Sequence, residues 1–419
     1  MKGILIVIDG LADRACRQLN DRTPLEIADK ENLDYLAENG KLGEMFPINE
    51  TVAPESDTAV VSILGNNAFI SSRGVFEAIG AGLDFKRGDL ALRTNFATID
   101  NLGSKKIIDR RAGRTLTTKE AEILAAEINK IFLPRKFFFK PTVQHRGVLI
   151  LRGGFSDNIT NTDPSYPIKG KFQHTYNFKF SQSMDDDENS SYTANMVNEI
   201  VEQSFKKLDE HPINQEREKK GLMKANILLT RDGGIEIPKI KKLNKWMAIQ
   251  YMPLEIGICK VAGMKVFSFD YPEMKKFDVY KNLYDALNQA IKFSIKMLKK
   301  HQKDFDYCYI HFKETDVPGH DNKPLEKKAM IEILDKKFFS FLRKFSEKNK
   351  IKVAVTADHS TPCSLKSHSA DSVPVLLFEP GEEEKAERDE TLAFNEVQAK
   401  KGKLGKIYGK EFLKKIKFV

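Results

Sequence analysis

The chain is poor in cysteine: Cys16, Cys259, Cys308 and Cys363 are the only four in 419 residues, with no CxxC pair and no regular spacing. That argues against a disulfide framework or a cysteine-rich zinc scaffold, and makes a reduced, cytoplasmic setting the expectation. Long apolar runs are also missing. None approaches the roughly 18 residues a membrane-spanning helix needs, so no membrane class fits. Near the N-terminus one Lys precedes only five apolar residues, Ile4 to Ile8, too few for a signal peptide and suited to a buried strand. Apolar residues are otherwise plentiful at 41%, beside 10% aromatic and 30% charged, which excludes collagenous and wholly disordered classes. The length predicts two or three domains, at roughly 150 residues each. Lys and Arg (68) exceed Asp and Glu (59) by 9. An anionic partner follows, whether nucleic acid, a membrane surface or a small phosphorylated substrate, and charge alone does not choose.

Short runs rich in Val, Ile and Leu recur between turn residues: 4–8, 148–151, 227–229, 266–269, 307–312, 353–355 and 375–378. Such runs predict strands buried on both faces, as in a parallel sheet covered by helices. Helical spacing covers 32–39, stopping at Gly40, then 283–300 and 324–348 with Pro324 in the first turn. The expected fold is therefore α/β over the first ~70 and last ~160 residues. Residues 88–190 differ in their clustered Arg, an FFFK run at 137–140 and an acidic stretch at 184–191 that reads as a solvated loop. They are expected to form an inserted α+β domain between core segments 1–87 and 191–419, with a helix at 192–208 returning the chain to the main sheet. The Lys-rich end from Lys400 reads as a solvated tail or helix face.

Asp and His fall repeatedly at strand ends. Asp9 closes IVIDG, Asp316 and His320 follow YIHF in TDVPGHD, Asp358 and His359 end VAVTADHS, and His368 lies in KSHSAD. In open α/β sheets the carboxyl ends of strands border the ligand crevice, so these side chains can converge there. Singly, each has a plainer reading as a turn residue or hydrogen-bonded structural His. Jointly, three Asp and three His suit two divalent cations, Mn²⁺, Zn²⁺, Co²⁺ or Mg²⁺, which together can clamp a phosphoryl group in displacement. Ser56, in APESDTAVVSILG, opens a helical run where an anion is favoured and is the candidate nucleophile. Its plainer role is to cap that helix, a role for which Asp57 competes.

These residues resemble the archaeal-type, cofactor-independent (2,3-bisphosphoglycerate-independent) phosphoglycerate mutases of the alkaline phosphatase superfamily. The similarity extends through IVIDGLADR (6–14), TPLEIADKENLDYLAENGKLG (23–43), PESDTA (54–59), RGVFEAIGAG (73–82), RTNFATID (93–100), IIDRRAGR (107–114), HRGVLIL (145–151), TNTDP (160–164), TDVPGHD (315–321) and TADHSTPCSLKSHSADSVPVLL (356–377). The resemblance implies an alkaline-phosphatase-like three-layer core with a mostly parallel sheet and a smaller inserted domain. It implies Asp9, Ser56, Asp358 and His359 on one metal, and Asp316, His320 and His368 on the other. There are departures: Glu55 replaces a Gly before the nucleophile, Ala357 replaces a Gly before the Asp-His pair, and SSRG (71–74) and TRDGG (230–234) are variant loops. Glu55 is expected either to weaken phosphate binding or to face solvent.

The implied reaction interconverts 2- and 3-phosphoglycerate in glycolysis or gluconeogenesis through a phosphoserine at Ser56. Substrate contacts are expected from Lys313 and from Arg110, Arg111 and Arg114, with Arg93 and Arg146 as outliers, since a guanidinium pairs well with phosphate or carboxylate. Asp109 is a candidate acid or base. The alternatives are a metal-dependent phosphatase, sulfatase-like hydrolase or phosphopentomutase on the same core and, more remotely, a non-enzymatic nucleic-acid binder, for which no recognition motif is present.

Overall fold

The computed structural model describes residues 1–164, 177–381 and 393–419. Thirteen strands form two sheets among the described residues: β1 Gly3–Ile8, β2 Lys41–Phe46, β3 Asp89–Ile99, β4 Ile107–Asp109, β5 Phe137–Pro141, β6 Arg146–Arg152, β7 Ile227–Gly234, β8 Trp246–Ile249, β9 Lys265–Phe267, β10 Tyr307–Phe312, β11 Lys352–Thr356, β12 Val373–Phe378 and β13 Gly405–Tyr408. The large sheet has the order β13-β2-β12-β11-β1-β10-β8-β9. Its centre is parallel, with β1 between β10 and β11, and only β12 runs against its neighbours. Every residue of β1 is buried. Helices such as Glu31–Glu38 and Val279–His301 supply the apolar stripes that cover this sheet. No helix among the described residues is long and apolar enough to cross a membrane.

The second sheet, β4-β3-β6-β5 with β7 on β3, is antiparallel throughout. Two of the apolar runs read as parallel strands, 148–151 and 227–229, lie here. Their continuous burial has another cause. One face packs on the helices Thr118–Ile128 and Glu188–Leu208, and the other receives the helix Arg73–Gly80, so both faces are dry without any parallel pairing. The helix Glu188–Leu208 buries Ala194, Val197, Ile200 and Val201 in this second core rather than returning to the large sheet. The smaller core thus continues through β7, and the segment 191–234, expected in the large core, belongs with the inserted part.

Three local expectations also change. The acidic stretch 184–191 is partly helical: the Asp187 carboxylate accepts the N–H of Asn189 and Glu188 begins the helix. The helical pattern 324–348 is broken at Asp335–Phe339 by a π-helical turn between Pro324–Leu334 and Ser340–Asn349. The Lys-rich end is no tail. β13 joins the large sheet beside β2, while Phe412, Ile416 and Phe418 are buried and Phe418 packs against Trp246 and Tyr307.

Between the two cores, the helix Arg73–Gly80 crosses the helix Pro253–Val261 at very short range. A Cβ on Gly80 would lie 1.7 Å from the Pro253 carbonyl, and one on Gly257 1.8 Å from that of Phe76. Only glycine admits this approach.

Candidate active site

Parallel pairing of β1, β10 and β11 brings their carboxyl ends to one edge of the large sheet. Asp9 follows β1, Asp316 and His320 sit on the short helix Asp316–His320 after β10, and Asp358 and His359 follow β11. Gly10 makes the convergence possible. It has φ +58°, and a Cβ there would meet Asp316 Oδ1 at 2.8 Å and Thr361 Oγ1 at 2.6 Å.

Two clusters result, Asp9–Asp358–His359 and Asp316–His320–His368, each with ligand-type atoms within 4.8 Å of one another. His359 Nε2 is 3.2 Å from Asp9 Oδ1 and 3.4 Å from Asp358 Oδ2. Nε2 of His320 and His368 lie 3.3 and 3.6 Å from Asp316. The His359 and His368 rings stack at 3.7 Å, joining the clusters. Ser56, the first residue of the helix Ser56–Ile63, places Oγ 3.3 Å from His359 Nε2.

The donor set fits divalent cations. In each imidazole Nδ1 is already engaged: His320 with the Lys366 carbonyl at 2.9 Å, His368 with the Pro54 carbonyl at 2.8 Å, His359 with Thr361 Oγ1 at 3.0 Å. Nε2 is left facing carboxylate oxygens in all three, the arrangement that metal-binding histidines use. Asp9 Oδ1 and Asp358 Oδ2 are buried without a hydrogen-bond partner, which protein interiors rarely tolerate unless something else binds there. Burial and the neighbouring Asp9 charge push the Asp358 carboxyl up to about 6. Burial would also raise Asp9, but the Lys313 ammonium against it holds it well below the usual carboxylate range.

Ser56 is not a helix cap. Its predecessor Glu55 occupies that position without a side-chain cap, and Asp57 does not cap either; it accepts from Ser71 Oγ at 2.6 Å and faces Arg73 at 3.8 Å. Glu55 is buried, not solvent-facing. It lies 3.4 Å from Arg73, 3.9 Å from Arg231 and 3.6 Å from His368; burial raises its carboxyl, and the neighbouring positive charge of the two guanidiniums holds it below the usual range.

A cavity of about 140 Å³ extends from this edge to the second sheet, and Lys313, Arg110, Arg111 and Arg114 all line it. Lys313 Nζ is bound between Asp9 and Glu255. Arg110 makes a two-pronged pair with Asp163, and Arg114 contacts Asp321 at 2.6 Å across to the large core. Asp109, the candidate acid or base, instead folds the turn, accepting the N–H groups of Arg111 and Gly113.

Sequence reasoning missed Arg73 and Arg231 and set Arg93 and Arg146 aside, yet all four line the cavity. Arg93 faces Arg231 across the β3–β7 pairing, and Glu77 compensates by pairing with Arg93 and, at 2.9 Å, with Arg73. The signal was a strand interior interrupted by Arg: neither Arg93 in ALRTNF nor Arg231 in LLTRDGG suits a dry strand without a ligand or partner. The Arg146 guanidinium makes no hydrogen bond or ion pair among the described residues, although its backbone is bonded.

A third cluster, Asp13–Cys16–Cys363, has the same compactness. The buried Lys327 ammonium, 2.8 Å from Asp13, already fills the place of a cation there.

A family model described as 2,3-bisphosphoglycerate-independent phosphoglycerate mutase matches residues 37–214. A relative so named from Pyrococcus horikoshii is 36% identical, over 98% of this chain and 95% of its own; one from Aeropyrum pernix is also 36% identical, over 98% and 97%. Among solved structures, a Pyrococcus horikoshii protein superposes with a TM-score of 0.74 at 31% identity, covering 100% of this chain and 98% of its own. The cofactor-independent phosphoglycerate mutase of Thermoplasma acidophilum gives 0.54 at 28%, covering 99% and 98%. Identity of this level across nearly both whole lengths, on the same two-sheet architecture, means that the chain belongs to the 2,3-bisphosphoglycerate-independent phosphoglycerate mutases.

Proposed function

We propose that this enzyme interconverts 2-phosphoglycerate and 3-phosphoglycerate without 2,3-bisphosphoglycerate, through a phosphoserine at Ser56. One observation carries the reading: Ser56 Oγ lies beside two joined carboxylate–imidazole clusters, at the floor of a cavity walled by arginines. Asp9, Asp358 and His359, with Ser56, would hold one divalent cation, and Asp316, His320 and His368 the other. Mn²⁺ is the first candidate, and Mg²⁺, Co²⁺ or Zn²⁺ suit related donors. Such cations supply charge neutralisation at the phosphate and a lowered hydroxyl pKa.

Ser56 gives up its proton as Oγ bonds phosphorus, and the substrate's ester oxygen leaves with the bonding electrons and is protonated as glycerate. Arg146, Arg111 and their neighbours on the second core keep the glycerate carboxylate in place while it turns. Its other hydroxyl then gives up its proton as it bonds phosphorus, and Ser56 Oγ leaves with the bonding electrons and is reprotonated. Enclosure between two cores suits this sequence, because water reaching the phosphoserine would turn the mutase into a phosphatase. The four cysteines form no disulfide, which fits the cytoplasm as the proposed setting.

An enolase-coupled assay on 3-phosphoglycerate, with no bisphosphoglycerate added, tests the proposal. Activity should persist without that cofactor, vanish with a chelator, return with Mn²⁺ and fall at least ~10³-fold in Ser56→Ala. Full activity in Ser56→Ala, or release of free phosphate without isomer, would overturn it.

A further inference from the structure

We propose that His311 is a positioning residue for Asp358, and that Tyr309 fixes the proton on the ring nitrogen that does the positioning. The inference rests on the reading above that Asp358 holds a cation. Tyr309 and His311 stand two apart on β10, hence on one face of the strand, and neither is exposed. Tyr309 Oη lies 3.0 Å from His311 Nδ1, its only side-chain partner among the described residues. A buried phenol needs an acceptor for its proton, so it donates to Nδ1 and leaves the ring proton on Nε2. That nitrogen is buried with no hydrogen-bond partner, and 3.5 Å away is Asp358 Oδ2, also buried with none.

His359 Nε2 is equally close to Asp358 Oδ2, at 3.4 Å, but brings no proton. Thr361 Oγ1 spends its hydrogen on Asp316 Oδ1 at 2.7 Å, so it must accept from His359 Nδ1, which leaves His359 Nε2 with a lone pair. The two histidines therefore carry opposite tautomers: His359 offers an electron pair to the cluster, and His311 offers Asp358 an N–H from behind. Asp358 Oδ1 is already held by the N–H groups of Gly10 at 3.1 Å and His359 at 3.0 Å. With His311 on Oδ2, the carboxylate is oriented at both oxygens. Partners of this kind govern how well a ligand holds its metal.

The test is calorimetric titration of chelator-stripped protein with Mn²⁺. His311→Leu should weaken one Mn²⁺ site by about 10–100-fold and spare the other. His311→Gln, which can present an N–H near the Nε2 position, should stay within a few-fold of the unmodified protein. Tyr309→Phe should weaken the same site by less than His311→Leu. Unchanged affinity in folded His311→Leu would overturn the proposal. Should that variant not fold, as judged by circular dichroism, unchanged affinity in Tyr309→Phe would overturn it. No Mn²⁺ binding by the unmodified protein would instead defeat the cation reading itself, so the two failures are distinguishable.

Discussion

Lys327 and Asp13 hold the frame from which the cluster residues hang. Asp13 Oδ1 accepts the N–H groups of Arg14 and Cys363, while Lys327 donates to Asp13 Oδ2 and to the carbonyls of Ala12 and Thr361. One ammonium thus ties the loop after β1, which carries Asp9, to the loop after β11, which carries Asp358 and His359. Lys327→Met should cost about 3–5 kcal/mol, because Asp13 is left charged and unpaired in the interior. Denaturant titration of the purified variant measures this. Glu396 buttresses the same frame, accepting from Asp13 N at 3.0 Å and Thr23 Oγ1 at 2.8 Å, and burial pushes its carboxyl up to about 7. A carboxyl raised on folding binds protons more tightly in the native state, so its contribution to stability falls as pH climbs from about 4.5 to 7. The stability difference between Glu396→Gln and the unmodified chain should shift by about 1–3 kcal/mol in the variant's favour between pH 5 and 8, read by urea unfolding. An equal difference at both pH values would refute the assignment. The ligand-type residues were legible because Asp and His are conspicuous at strand ends. Lys327 was not: in PLEKKAM it is one lysine among 68 Lys and Arg, and only the packing gives it a role.

Arg217 does for an element what Lys327 does for the loops. It lies buried on the helix Pro212–Lys219 and donates to the carbonyls of Met223, Thr115 and Ala112, to Thr115 Oγ1 and to Glu120. That fan of bonds shapes the turn 109–115, from which Arg110, Arg111 and Arg114 reach the cavity. Arg217→Leu should destabilise the protein by about 3 kcal/mol, since several buried acceptors lose their donors together. It should also raise KM for phosphoglycerate more than it lowers kcat, and steady-state kinetics separates the two. At this scale the strands were easier to read than their partners. All seven apolar runs meet strands, though 266–269 outlasts β9 by two residues, and the runs in β6, β7 and β12 carried no mark of antiparallel pairing, because two-sided burial yields the same composition in either orientation. Six strands, β2, β3, β4, β5, β8 and β13, lay outside those runs; β5 alternates in exposure at a sheet edge, and β13 is a short strand flanked by lysines.

At the scale of the molecule, the two cores meet around a cavity lined by seven arginines. Such a lining suits a small anionic substrate, so the excess of 9 positive charges does not of itself call for nucleic acid. The opposite imbalance holds at the edge of the large sheet, where Asp9, Asp316 and Asp358 crowd together. Bound cations should contribute stability by mass action, about 4 kcal/mol at a free-ion concentration ~1,000 times Kd. A chelator should accordingly lower Tm and excess Mn²⁺ restore it; a Tm indifferent to both would count against cation binding. The mostly parallel α/β core was legible from the apolar runs and the strand-end motifs. Its boundary was not, because the helix Glu188–Leu208 has an apolar stripe that would serve either sheet, and only the three-dimensional neighbours decide which receives it.

The pairing of β1 with β10 and β11 also sets a schedule for the ribosome. The strands that flank β1, and so bracket Asp9, are encoded some 300 residues after it. At about 5–20 residues per second that is a delay of roughly 15–60 s. Throughout it β1, apolar at five of its six positions, has neither of its parallel neighbours to pair with. The inserted core, by contrast, has all its strands once residue 234 has emerged, and can close while the larger one waits. Nascent chains stalled short of β10 should therefore carry β1 exposed, making the first strand a natural handhold for chaperones that grip extended apolar segments.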